Sequence, residues 1–538
     1  MPGFLKKFAN AFLRRYRPLP AERWCADHFG AMKQRLPPAD KSAPLVVVEV
    51  ADDLFFFGLH GEIIMALRAI RNVRVGRWTS RSMDAGTSLS LQRMIAAWLD
   101  GLVQSRFKWK RLYKSICDEP GERADRFRAP WREIAWLWRA WRLFRRLESK
   151  DQLAALTERG IRIGDLVIDT YLRFKPAAEM NVRDPYLILI LRQAIKDIDN
   201  VFDYLGRNQP VLFLATYVSY IQHGIPARVA VALGIPSWSF ANAQEFGTRQ
   251  APDHLLHSKR CANYAVDFSR MSEHAEKTAR AGKILGDRVA GIADTATVNQ
   301  RSAYEVRTRD VPDVQGAVIA FLHDFFDSAH IYRWMIFHDF WEWACETIEI
   351  LEAAGVPYFL KPHPNQRAES NVELERLQKK YPNARIMSSE VSNRQLVEGG
   401  MACAVTVYGS VAAEMAYLGV SSISCGDNPH ISFDTFHFAA TKEDYRALLR
   451  RSLSLPRDPG RMRDQACAFY YMHYLNISPS EQDLRDRLIA FYLALVEQEV
   501  EQRSFSAGQM ETLFAGLENA PGFRRFVAGL ASELDAVP

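Results

Sequence analysis

"FLKPHPNQ", residues 359–366, reads as a buried strand that stops abruptly in a lysine, a histidine and two prolines. Pro362 and Pro364 restrict the backbone on either side of His363, which holds the imidazole at the end of the strand. The strand has companions. "AVIAFLH" (317–323), "PYFLK" (357–361), "ARIMS" (384–388), "CAVTVY" (403–408) and "VSSISCG" (420–426) are short apolar or β-branched runs, each separated from the next by a helical segment. That alternation predicts a parallel sheet with helices on both faces. Ser392 with Gln395 makes a capping box, and Gly419 closes the helix that begins near Ser410.

Ligands of open parallel sheets sit beyond the carboxyl ends of the strands. The residues at those ends are His323, Asp324 and Asp327; Lys361, His363 and Asn365; Ser388, Ser389 and Glu390; Tyr408, Gly409 and Ser410; and Asp427 and Asn428. A histidine at such a tip can donate to a base carbonyl, a ribose or a phosphate, and Lys361 supplies compensating charge. In "VYGSVAAEMAYLG" (407–419), Gly409 permits close backbone approach and the helix beginning near Ser410 offers free N–H groups to an anion. Glu414, one turn further, is within reach of a ribose hydroxyl. The combination describes a nucleotide mono- or diphosphate site. No GxGxxG or GxxxxGK[ST] loop is present, which argues against dehydrogenases and P-loop enzymes.

The first half reads as a second α/β domain. "PLVVVEV" (44–50) is a continuous β-branched strand run, followed by the helical "GLHGEIIMALRAIRN" and by "NVRVGRW" (72–78). Residues 90–205 are expected to be mostly helical. Strands return at "PVLFLAT" (210–216) and "IPSWSF" (235–240) around a helix stopped by Gly234. Within the helical stretch, Trp131, Ile134, Trp138 and Trp141 share one face and arginines gather on another. Such a stripe reads first as a core helix with a solvated basic edge, and second as a surface for membrane or a lipid-linked substrate. "DID" (197–199) matches a metal-binding DxD, but it lies inside a helical pattern rather than a loop. His323, His330 and His338 lack metal-ligand spacing.

With 538 residues, 48% apolar, 25% charged and a formal net charge of +6, the chain has a soluble globular composition long enough for two or three domains. No long basic stripe points to nucleic acid. Seven scattered cysteines, with no CxxC pair, suit a reducing cytosol and give no metal centre. "MPGFLKKFANAFLRRYRP" is not expected to be a signal peptide, because lysines and arginines interrupt its apolar residues. Phe4, Leu5, Phe8, Phe12 and Leu13 recur at helical spacing. This basic amphipathic segment either lies on an anionic inner-membrane surface or docks on its own domain. The expected location is the cytoplasm, peripheral to that membrane face.

The "KPHP" tip and "TVYGSVAAEMAYLG…SCGDNPH" resemble the C-terminal domain of bacterial GT-B glycosyltransferases that build capsule and other surface polysaccharides. The wider His-Pro group includes Kdo transferases and bacterial sialyltransferases. "GIRIGDLVIDTYLR" (160–173) and "ATYVSYIQHGIPARVAVALGIP" (215–236) are similar to the N-terminal half of capsule-biosynthesis members. The resemblance implies two Rossmann-like domains facing a cleft, with a helical insertion in the first. Residues 1–40 would be the amphipathic segment, 41–310 the acceptor domain, 311–478 the donor-nucleotide domain and 479–538 C-terminal helices.

The implied activity is metal-independent transfer of a sugar from a nucleotide sugar, CMP-activated by preference, to a glycan or lipid-linked glycan acceptor. The nucleotide sugar is a co-substrate, and no cofactor or metal is implied. Donor-nucleotide contacts carried over or read at the strand tips are Lys361, His363, Asn365, Ser389, Tyr408, Gly409, Ser410 and Glu414, with His323, Asp324, Asp427 and Asn428 lining the cleft. Transfer also needs a base. Asp169 is preferred because the resemblance places its segment near the cleft, followed by His60 and Asp53; Asp52, Asp165 and His223 are further candidates. The alternatives are a nucleotide-sugar 2-epimerase of the same architecture and a non-catalytic polysaccharide-binding protein.

Overall fold

The structure is a computed structural model that describes residues 18–80, 108–124, 128–175, 177–240, 242, 244–259, 263–292, 301–496 and 506–535. The Phe4 to Leu13 stripe and residues 90–107 of the expected helical stretch lie outside these residues. The chain divides into two units, the first drawn from 1–170, 182–257 and 478–538, the second from 171–181 and 258–477. Each is a Rossmann-like α/β layer built on its own sheet.

In unit 1 the strands are β1 (Leu45–Val50), β2 (Arg74–Thr79), β3 (Glu122–Arg123), the hairpin pair β4 (Thr157–Glu158) and β5 (Ile161–Arg162), β6 (Leu212–Leu214), β7 (Ser237–Ser239) and β8 (Thr248–Gln250). Apart from the hairpin they form one sheet in the order β3-β2-β1-β6-β7-β8, parallel except for β8. Every residue of β1 is buried, as a β-branched run covered on both faces should be. Helix α1 (Leu54–Ile70) starts where the Asp53 carboxylate accepts from Phe56 N–H and is apolar nearly all round. It packs on Phe29 of the helix Pro20–Arg35 and on Phe491, Leu495 and Phe514 of the helices Pro479–Val496 and Ala507–Glu518. Those late helices therefore complete the core of unit 1.

Helix α2 (Pro130–Arg146) lies against helix α3 (Tyr186–Asn208) and corrects the expected core role of the tryptophan stripe. Trp131, Ile134, Trp138 and Trp141 are 66%, 67%, 54% and 47% exposed, whereas Trp136 and Ala140 are buried. The inward face is chosen by polar pairing. Trp136 Nε1–H and Arg139 donate to Asp199, at 2.8 and 2.6 Å, and Lys196 donates to Glu133 at 2.7 Å. Asp197 and Asp199 thus sit on a helix, with Asp199 neutralised by Arg139 and Arg159.

Unit 2 holds β9 (Val318–Phe321), β10 (Tyr358–Lys361), β11 (Cys403–Val405), β12 (Ser421–Ser424) and β13 (His437–Phe438), all parallel, in the order β10-β9-β11-β12-β13. Val318 and Ala320 enter one apolar cluster while Ile319 and Phe321 enter another, so both faces are covered. "ARIMS" is not a strand. Only Ile386 bridges to Leu360, whose N–H and C=O reach Arg385 and Met387, and pairing goes no further. The two-residue β13 is too short to leave a pattern in the sequence. The chain moves from β9 to one side for β10 and to the other for β11, so the topological switch lies at β9 and β11.

A Cβ added at Gly61 of α1 would meet the Phe29 ring at 2.2 Å. Gly61→Ala is therefore expected to cost roughly 1–3 kcal/mol by overpacking, seen as a lower urea midpoint; an unchanged midpoint would contradict this packing.

Candidate functional site

At the switch in unit 2 lies a cavity of about 370 Å³. Of the residues expected from the sequence, Lys361, His363, Asn365, His323, Tyr408, Gly409, Ser410 and Glu414 line it, together with Arg288, Tyr304, Asn393 and Thr406, which the sequence analysis did not name. Its size falls in the range of small-molecule sites, roughly 300–1,000 Å³.

Glu414 is the hub. Its Oε1 accepts from Arg288 Nε at 2.8 Å and from Ser410 Oγ at 3.0 Å, and its Oε2 accepts from Tyr304 OH at 2.8 Å. Arg288 comes from the helix α4 (His274–Val289), 126 residues away in sequence, and also donates to Ser410 Oγ at 3.2 Å. The Ser410 hydroxyl is thereby committed inside the protein. Helix α5 (Val411–Tyr417), which carries Glu414, has seven residues, so its dipole is short.

Facing this hub, β10 delivers Lys361 and His363. Lys361 is 2% exposed, and among the described residues no hydrogen-bond or ion-pair partner meets its Nζ. Burial pushes its ammonium down to about 8, while the Glu414 carboxylate pulls the other way. Burial, and then the Lys361 charge, hold His363 below the ordinary imidazole value. Its Nδ1 accepts from Asn365 N–H at 3.1 Å, which leaves the proton on Nε2 as a neutral donor. Asn365 in turn clasps the backbone of Arg301, accepting from its N–H and donating to its C=O.

His323 forms the floor. It stacks on Phe340 at 4.6 Å, shares a 3.2 Å hydrogen bond with Thr406 Oγ1, and is driven down to about 3 by burial and then by His363. Gly409 N–H donates to the same Thr406 hydroxyl at 3.2 Å, and a Cβ on Gly409 would sit 2.8 Å from it. Glycine is thus needed here for close approach. Tyr408 OH is anchored on the carbonyls of Ser328 and Ala329.

Of the twelve residues expected as nucleotide contacts or cleft lining, four do not line the cavity. Asp324 accepts from Arg367 N–H and Ser370 Oγ and so fastens the loop after His363. Asn428 donates to Tyr408 C=O at 2.8 Å, Asp427 N–H donates to Trp334 C=O at 2.7 Å, and Ser389 follows the edge bridge at Ile386.

Unit 1 places the proposed bases as follows. Asp53 caps α1, with its carboxyl raised by burial, and Asp52 is pushed up to about 6 by the same cause. His60 is fully buried, its Nε2 3.3 Å from Ala215 C=O, and driven down to about 4. Asp169 is buried on the helix Gly164–Phe174. The best-defined proton acceptor is a pair formed by Glu49, near the end of β1, and His223 on the helix Tyr220–Ala232. Glu49 accepts from Ser80 Oγ at 2.6 Å, from Thr216 N–H at 2.8 Å and from Thr216 Oγ1 at 2.9 Å, and lies 2.7 Å from His223 Nδ1. Burial pushes the carboxyl of Glu49 up, but His223, Ser80 and Thr216 together bring it below the usual range. A carboxylate that only accepts places the His223 proton on Nδ1 and leaves Nε2 as a basic lone pair. The sequence signal for Glu49 was a lone charge inside a β-branched run.

No protein-family model and no curated protein matches the chain. Among solved structures it is similar to the UDP-GlcNAc 2-epimerase of Methanocaldococcus jannaschii in complex with UDP-GlcNAc and UDP, at 11% identity, covering 78% of this chain and 97% of that one, with a TM-score of 0.26. It is also similar to the UDP-GlcNAc 2-epimerase of Neisseria meningitidis bound to UDP-GlcNAc, at 8% identity, 84% and 99% coverage and a TM-score of 0.23. A further UDP-N-acetylglucosamine 2-epimerase matches at 9% identity, 87% and 98% coverage and a TM-score of 0.21. These scores transfer no residue role and no activity. The solved structures named here are epimerases rather than glycosyltransferases, which corrects the sugar-transfer expectation; the Kdo- and sialyltransferase likeness, which rested on short motifs, is not confirmed by them.

A phosphate that needs the Lys361 charge should bind more weakly as pH rises through about 8, by up to about tenfold per unit beyond it. Stability runs the opposite way. The folded chain holds this proton less tightly than the unfolded one, so its destabilising effect is complete below that value and fades as pH rises toward 10.5. Calorimetric titration of UDP across this window checks the claim: Lys361→Met should bind weakly without the step, and a variant that keeps the step would exclude Lys361.

Proposed function

We propose that the protein is a nucleotide-sugar enzyme of the 2-epimerase kind, in which unit 2 holds the nucleotide diphosphate. The observation that carries this reading is the buried Lys361 ammonium, without a partner among the described residues, beside the fixed Nε2–H donor of His363 in a cavity whose far wall is the Arg288–Glu414 pair. A buried ammonium that no acceptor touches is costly, and a diphosphate supplies both acceptor and charge. The cavity is compact and polar on one wall, which fits a nucleotide better than an extended glycan chain.

Inverting a carbon next to the anomeric centre by loss of its proton with cleavage of the bond from C1 to the diphosphate, and then re-forming that bond as a proton returns to the opposite face, requires a base, an acid and stabilisation of the charge on the departing diphosphate. Lys361 and His363 meet the last requirement. Within unit 1 the group suited to proton removal is His223, whose Nδ1 lies against Glu49 so that Nε2 carries the lone pair. UDP-GlcNAc is the first substrate to test, as the compound named with the structural neighbours.

Incubation with UDP-GlcNAc in D2O, followed by proton NMR, should yield the C2 epimer with deuterium at C2 and the nucleotide sugar otherwise intact. His223→Asn and Glu49→Gln should each slow conversion by about 10²-fold or more while leaving UDP affinity unchanged. UDP binding without deuterium uptake from any UDP-sugar would remove the epimerase reading and leave a binding protein.

A further inference from the structure

Helix α2 carries two apolar faces, and among the described residues only one is packed. Trp136 and Ala140 turn inward against α3, whereas Trp131, Ile134, Leu137, Trp138 and Trp141 turn outward, and nothing among the described residues covers them. An exposed apolar face richer in tryptophan than the packed one marks an interaction surface.

Its charges are ordered too. Arg142 stacks its guanidinium over Trp138 at 4.5 Å and Arg145 over Trp141 at 5.5 Å, and Arg146 is exposed on the next turn. The single acidic residue of the helix, Glu133, faces inward and is paired with Lys196 and Arg192. The outward face therefore combines indole rings and arginines with no carboxylate.

We propose that this face docks the protein on an anionic phospholipid surface, the helix lying in the headgroup plane. Three arguments select lipid over other occupants. Indole and guanidinium groups both suit the boundary between headgroups and acyl chains, where the ring is buried and the cation meets phosphate. The face is the convex ridge of one helix about 25 Å long, which a deformable lipid surface can follow without a complementary groove. A second copy docked face to face would bring together two arginine-rich faces with no carboxylate to offset them. Among the described residues no helix is long and apolar enough to cross a membrane, so the contact is interfacial.

The test is flotation of the full chain with vesicles of phosphatidylcholine alone or mixed with phosphatidylglycerol. Wild type should float with the anionic vesicles only and be released by about 1 M salt, where the Debye length is about 3 Å. Trp138→Ser/Trp141→Ser and Arg142→Glu/Arg145→Glu should each lower the partition at least about tenfold, since one basic residue near an anionic surface is worth roughly fivefold. Both pairs are surface residues, and an unchanged thermal midpoint confirms that folding is intact. Wild type that stays unbound, or variants that float like wild type, would overturn the proposal. So would a wild-type dimer that the tryptophan variant converts to a monomer, because the face would then belong to a second copy.

Discussion

The Glu414 carboxylate is the constraint on which the candidate site depends. Three donors converge on it from three separate segments: Arg288 from a helix, Tyr304 from a loop and Ser410 from the turn before its own helix. The same charge supports protonation of Lys361 and His363, which burial alone would discourage. One buried anion thus fixes part of the cavity lining and favours the charged forms of Lys361 and His363. Replacing it by an apolar group would leave a guanidinium and a phenol without acceptors in a dry environment.

Both units apply one design in different chemistry. Each places its polar groups where a parallel sheet changes direction, at β9 and β11 in unit 2 and at β1 and β6 in unit 1. Unit 2 presents donors and a cation, suited to an anion. In unit 1 a carboxylate fully satisfied by Ser80, Thr216 and His223 orients one imidazole. The two arrangements have distinct roles in the proposed reaction, and substitutions in one should leave the properties of the other intact.

Much of this was legible in the sequence because local rules govern it. Buried parallel strands are continuous β-branched runs, and polar residues at their ends mark a rim, so β9, β10, β11 and eight of the lining residues could be named from the sequence. Arg288 and Tyr304 could not. They meet Glu414 from 126 and 110 residues away, and no local spacing encodes that contact. Glu49 was hidden for the opposite reason, since a strand run absorbs one charged residue without losing its pattern. "ARIMS" has strand composition but only one bridge at the sheet edge, and the tryptophan stripe of α2 was misassigned because the ion pairs with α3, not hydrophobicity, decide which face turns inward.

The most direct test of the Glu414-centred site is calorimetric titration of UDP into wild type and Glu414→Gln at neutral pH, with thermal melts of both. Loss of the carboxylate that holds Arg288, Tyr304 and Ser410 together and supports the Lys361 charge should weaken UDP binding by at least about tenfold, in a chain that still melts cooperatively. A Glu414→Gln chain that binds UDP as tightly as wild type, or a wild type that binds no nucleoside diphosphate, would contradict it.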